Sequence, residues 1–198
     1  MTIARPAETE FNPFYAGYVG KVSDPVALLK EQLAAFDQLR GLAETVGDHR
    51  YAEGKWSVKE LIGHMADSER VFAYRLLRVA RADKAPMAGF DENAWAAVAP
   101  HARRRLAAVV DELIAVRRST LAQIESLDDT AVANSGVANN APVTARAICW
   151  IIPGHAQHHL GILAERYVVG PVLHILKRAD ESGCEAQIRA ARQGVAPS

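Results

Sequence analysis

Two histidines stand four residues apart in Ile151-Ile152-Pro153-Gly154-His155-Ala156-Gln157-His158-His159-Leu160. On a helix, residues four apart point the same way, one turn above the other, so His155 and His159 can chelate one metal ion. Ile148, Ile152 and Ile162 fall on the same stripe, which turns both imidazoles inward. An imidazole buried among aliphatic side chains needs partners for its ring nitrogens, and a metal ion supplies one. The competing reading is a pair of core histidines bonded to carbonyls or water.

His64 adds a third nitrogen. It lies beside a helical stripe of Leu61, Met65 and Phe72, next to a wall that faces the interior. Asp67 stands three residues on and Glu60 four back; Glu60 is engaged in a helix cap, so Asp67 is the better carboxylate to orient the imidazole. Three histidines with no fourth protein ligand leave coordination positions open, the mark of a catalytic rather than a structural site. Histidines alone do not select among zinc, nickel, iron, manganese and cobalt. His158 falls about a hundred degrees round the helix from this stripe, toward a neighbouring helix or solvent. His49, His101 and His174 receive no role.

Spacing excludes other chemistries. Metalloproteases use His-Glu-x-x-His with the glutamate as base, and Ala156 occupies that position. Carboxylate-bridged di-iron bundles need Glu-x-x-His on two helices, and no Glu-x-x-His occurs in the chain. A Gly-rich phosphate loop, a Gly-x-Ser-x-Gly elbow and a dinucleotide fingerprint are all absent from the sequence.

The elements that must carry these histidines are helices. Asp24 caps a first helix with Pro25 at its first position, followed by Leu28, Leu29, Leu33, Phe36 and Leu39, ending near Gly47. Ser57-Val58-Lys59-Glu60 is a capping box that starts a second helix running to about Arg81. A long connection, 82–100, holds a short helix from Glu92 to Val98 capped by Asp91. A third helix is expected over 101–127, then a polar loop from Ser135 to Asn140, then a fourth helix over 143–168. Pro153 inside it frees the Cys149 carbonyl and should kink it. Residues 1–22 form an extended lead-in whose rings (Phe11, Phe14, Tyr15, Tyr18) belong across the bundle rather than in solvent. A further helical piece is expected in the tail, from Gly183 to Gln193. Together these give an all-α four-helix bundle in one domain over 1–198, with its core at 23–168 and one long crossover connection.

The 198 residues carry no net charge at pH 7, so no basic field draws nucleic acid or an anionic membrane. Arg103, Arg104, Arg105, Arg117 and Arg118, interspersed with Asp111 and Glu112, read as a solvated helix face. Two cysteines, Cys149 and Cys184, make no disulfide framework, and the N-terminal stretch lacks a signal-peptide apolar core. No apolar run approaches the roughly 20 residues that span a bilayer. A soluble, cytoplasmic protein is expected.

The segments Tyr51-Ala-Glu-Gly-Lys-Trp-Ser57 and Val-Lys-Glu-Leu-Ile-Gly-His64-Met-Ala-Asp-Ser-Glu69-Arg70 resemble the second-helix motif of DinB/YfiT-like proteins. Gly154-His155-Ala-Gln-His158-His159 resembles the matching fourth-helix motif, and Phe90-Asp-Glu-Asn-Ala-Trp95 and Ala115-Val-Arg-Arg-Ser-Thr120 also resemble the family. The resemblance covers roughly 23–168. It implies a four-helix bundle, often a homodimer, with a three-histidine site for a divalent metal at His64, His155 and His159. It also implies thiol S-transfer to a small electrophile, with a low-molecular-weight thiol as cosubstrate: bound metal lowers the thiol pKa and presents thiolate. In one respect the chain departs from the family's thiol transferases, which often carry Arg-Gly-Gln after the last histidine; here the residues are Leu160-Gly161-Ile162. A metal-dependent hydrolase and a non-enzymatic metal-binding or stress-response module stand as the alternatives.

Overall fold

The computed structural model describes residues 2–167. The expected tail helix, Cys184 and His174 lie outside them. Helix formation follows the sequence signals closely. Two 3₁₀ turns (Glu8–Glu10, Pro13–Tyr15) and helix α1 (Ala16–Val19) make up the lead-in. Helix α2 (Pro25–Arg40) starts at Asp24, whose carboxylate accepts from the amides of Val26 and Ala27. It ends earlier than the apolar spacing suggests, and a separate turn, α3 (Glu44–Gly47), follows. Helix α4 (Val58–Ala80) opens on the capping box: Ser57 Oγ accepts from the Glu60 amide at 3.3 Å, and Glu60 Oε2 accepts from the Ser57 amide at 2.6 Å.

The connection after α4 contains the short helix α5 (Glu92–Val98), capped by Asp91 as its sequence predicts. Helix α6 (Leu106–Glu125) begins later than expected, because His101–Arg103 forms its own 3₁₀ turn. After α7 (Asp129–Ala133), the stretch expected as a polar loop is a β-hairpin. Strand β1 (Ser135–Ala138) pairs antiparallel with β2 (Ala141–Thr144). Asn139 and Asn140 make the turn with φ of 51° and 59°, the left-handed pair that matches strand twist in a two-residue hairpin. The polar run was the turn and its flanks, too short in apolar residues to read as strands. Helix α8 (Ala145–Glu165) then runs as one element through Pro153, with Thr144 as its cap.

Helices α2, α4, α6 and α8 form the four-helix bundle, the all-α class that the periodicity predicts. Around the bundle α6 and α8 each lie beside both α2 and α4. The long connection between α4 and α6 therefore joins neighbours, and the chain crosses the bundle between α2 and α4 and again between α6 and α8. No helix among the described residues is long and apolar enough to cross a membrane.

The apolar core comes in two parts. One holds Leu29, Phe72, Leu76, Ile124 and Ile148, the other Phe36, Ile62, Met65, Leu113 and Leu160. Each fully buried side chain of this size contributes about 1.5–3 kcal/mol relative to exposure. Between the parts lies a polar cross-link that touches all four long helices. Arg117 of α6, fully buried, donates to both carboxylate oxygens of Glu69 on α4 at 2.8 and 2.7 Å, and to Gln32 Oε1 on α2 at 2.6 Å. Gln32 Nε2 in turn donates to the Pro153 carbonyl of α8 at 2.9 Å. The reading of Arg117 as part of a solvated face is thus corrected: it falls on the Leu106, Val110, Leu113, Leu121 stripe and takes that stripe's orientation inward.

Candidate metal centre

The capping box fixes where α4 begins, and His64 follows in its second turn. On α8, His155 and His159 sit just beyond Pro153-Gly154. Both are buried, and His64 is partly exposed. The lead-in reaches this place because Gly154 has no side chain: a Cβ there would lie 2.3 Å from the Tyr18 carbonyl oxygen. The rings of the lead-in do lie across the bundle, although Phe14 remains largely exposed.

The three imidazoles converge through Nε2. His159 Nε2 lies 3.1 Å from His155 Nε2 and 3.2 Å from His64 Nε2. One ligand atom from each residue falls within 4.8 Å of the others. Ligand bonds of about 2.0–2.1 Å put two nitrogens of one coordination sphere about 3.3 Å apart, so the spacing suits a single cation. Burial pushes the His64 imidazole down to about 4. Burial first, and then the neighbouring rings, hold His155 and His159 well below the ordinary value. All three are therefore neutral at pH 7, the form in which imidazole binds metal.

Hydrogen bonding among the rings alone cannot satisfy this arrangement. A neutral ring carries one N–H, so His159 Nε2 can donate to one neighbour at most while the other nitrogen faces it. His159 Nδ1 is buried and has no partner among the described residues. A cation accepts all three Nε2 lone pairs at once, and in this sense the donor set fits a divalent transition metal.

Aromatic rings enclose the trio. Tyr18 and Phe72 set their edges against His155, each at 5.5 Å, and Trp56 lies 4.8 Å from His64. A cavity of about 470 Å³ opens beside the histidines, walled by the lead-in, by α4 and by Phe90 and Glu92 of the long connection. Trp95 stands behind Phe90, 4.6 Å away ring to ring, and is half-exposed. His158 lines the same cavity beside Tyr18.

The carboxylate assigned to His64 goes elsewhere. Asp67 Oδ2 accepts from His101 Nε2 at 2.9 Å, while His64 Nδ1 lies 3.5 Å from Ser68 Oγ. Burial raises the Asp67 carboxyl, but the bond from His101 and the nearby cations outweigh it and leave it below its ordinary value. His101, given no role by its sequence position, is buried against α4 because residue 63 is glycine: a Cβ there would meet its ring at 2.2 Å. Gly63 inside an otherwise regular helix was the available signal.

The sequence profile of the DinB superfamily matches residues 28–163. The chain belongs to the DinB superfamily. Its fold is similar to that of YfiT from Bacillus subtilis, described as a probable metal-dependent hydrolase with an unusual four-helix bundle topology. The TM-score is 0.63 at 17% identity, over 88% of this chain and 93% of that one. No curated protein matches the sequence. In this DinB-superfamily chain the motif histidines of α4 and α8 are thus the residues that the fold brings together, while Asp67 and His101 form a separate pair behind His64.

Proposed function

We propose that the protein is a metal-dependent hydrolase of a small ester or amide, with His64, His155 and His159 holding a divalent transition metal. The convergence of three neutral Nε2 atoms at one end of a cavity carries this reading. A cation held there supplies Lewis acidity and lowers the pKa of water, or of a thiol. Glu92 lines the same cavity and its charge acts on His64, so it is the carboxylate placed to take up a proton. Tyr18, Phe72 and Trp56 pack against the imidazoles. The similarity to the YfiT fold supports the reading by analogy.

Thiol S-transfer is the second reading, and it uses the same three histidines. What favours it is the family resemblance; what weighs against it is the segment after His159, where Leu160 is buried in the apolar core and offers no polar group to a thiol cosubstrate.

One experiment separates these. Untagged protein and His159→Ala are analysed for metal, then assayed on an ester and amide panel with and without a low-molecular-weight thiol. Metal in the parent, its loss in the variant and turnover without thiol are expected, with a decrease of about 10²–10⁴ in Glu92→Gln. Turnover only with thiol would replace hydrolysis by transfer. Bound metal with neither activity would leave a binding module.

A further inference from the structure

Among the described residues, four lysine, arginine or glutamate side chains are buried: Lys59, Glu69, Arg75 and Arg117. Three are in ion pairs. Lys59 meets Glu44 and Asp48, and Arg117 meets Glu69. Arg75, 4% exposed, has no carboxylate partner among the described residues; its one hydrogen bond runs from Nη2 to the Ala88 carbonyl at 2.8 Å. A guanidinium has five N–H donors, and a buried charge without a counter-ion is destabilising. None of the Arg75 nitrogens is both fully enclosed and unpartnered, so its spare donors reach open space. Arg75 lines the cavity beside the histidines, and also a much smaller apolar one against Ala138, Val143 and Ile148 that offers it no charged partner.

His64, Ser68, Phe72 and Arg75 follow one another along one face of α4 and form a single wall of the cavity. About 16 Å of helix rise separates the first Cα from the last. Between the two ends the rings of Tyr15 and Phe72 meet edge to face, 6.1 Å apart. The cavity therefore has histidine nitrogens at one end, aromatic walls in the middle and an unpaired guanidinium at the other. Among the described residues, Arg75 is the one arginine or lysine lining it, and Glu92 is the one acidic residue. A single planar fork with a carboxylate across the cavity suits a monoanion better than a phosphate dianion.

We infer that the cavity takes a small amphipathic carboxylic acid, its carboxylate on Arg75, its apolar body against Tyr15 and Phe72, and its reacting bond toward the histidines. Only the last of these assignments rests on the proposed hydrolase activity; the carboxylate site stands on Arg75 itself.

Calorimetric titration with 4-phenylbutanoate, its neutral amide and 2-phenylethyl phosphate tests this on the parent, Arg75→Met, Arg75→Lys and His159→Ala. The acid should bind the parent at least about tenfold more tightly than the amide. Arg75→Met should abolish that preference, Arg75→Lys should keep part of it, and His159→Ala should keep it whole. Circular dichroism checks each fold; if Arg75→Met does not fold, the parent and Arg75→Lys ratios decide. Equal binding of acid and amide by the parent would overturn the inference. So would a preference that survives Arg75→Met, one lost in His159→Ala, or tighter binding of the phosphate. An acid preference without any turnover would sink the hydrolase reading alone, and turnover without the preference would sink this one alone.

Discussion

Gly154 lies directly under the Tyr18 carbonyl, so close that a Cβ at 154 would stand 2.3 Å from that oxygen. The lead-in and α8 are thus in backbone contact one residue before His155.

Glycine substitutions on α8 should therefore split in sign. Alanine is favoured over glycine in a helix by about 1 kcal/mol, and Gly161 has open space around it, so Gly161→Ala should stabilise by up to that amount. Gly154→Ala must push the lead-in away and should destabilise by about 1–3 kcal/mol. Thermal denaturation of both variants checks this; equal shifts would mean that the lead-in does not rest on Gly154.

The Glu69–Arg117 pair should show the asymmetry of a buried ion pair. Glu69→Ala leaves Arg117 enclosed without its partner and should cost about 3–5 kcal/mol. The double replacement Glu69→Leu with Arg117→Met removes both charges and should be markedly less destabilising than the single change. Urea unfolding of the three proteins measures it. A double variant at least as unstable as Glu69→Ala would show that the two side chains act separately.

Acid should weaken the metal-free protein through its histidines. His64 is held at about 4 and His155 and His159 well below 6.5, so the folded protein keeps them neutral where the unfolded chain would protonate. Below pH 6.5 the unfolded state binds more protons, and stability falls as pH drops toward 4. Above pH 6.5 these groups contribute no slope. Carboxylates held below their ordinary values, Glu10 and Asp67 among them, add a further loss at still lower pH. Denaturant midpoints measured from pH 8 to 4 test this, and a midpoint unchanged between pH 7 and 5 would contradict it.

Cys149 should be chemically silent. It is fully buried, and burial pushes its thiol up to about 12. Iodoacetamide should leave Cys149 unmodified in the native protein and label it after unfolding, as read by peptide mass mapping. Cys149 would then supply no thiolate to the reaction. Rapid native labelling of Cys149 would reverse that conclusion.

The four long helices, their caps at Asp24 and Ser57, and the inward stripe that holds His155 and His159 are all legible in the order of the residues. These are local matters: a cap bonds within three residues, and a helical period is set by neighbours along the chain. The sequence also contained the family motif that singles out His64. Whether three imidazoles on two helices actually meet depends on how α4 and α8 pack, which no local signal carries. The same holds for Arg117, whose burial follows from the stripe it occupies but whose partner lies 48 residues away on α4. Asp67 is the instructive miss. Proximity along the chain pointed to His64, but the carboxylate serves His101, brought in by a separate turn onto the bare backbone of Gly63. Arg75 is another such case: nothing in its neighbours along the chain marks it as buried and unpaired. Only the closing of the lead-in and the long connection over α4 encloses that guanidinium beside a cavity instead of leaving it in water.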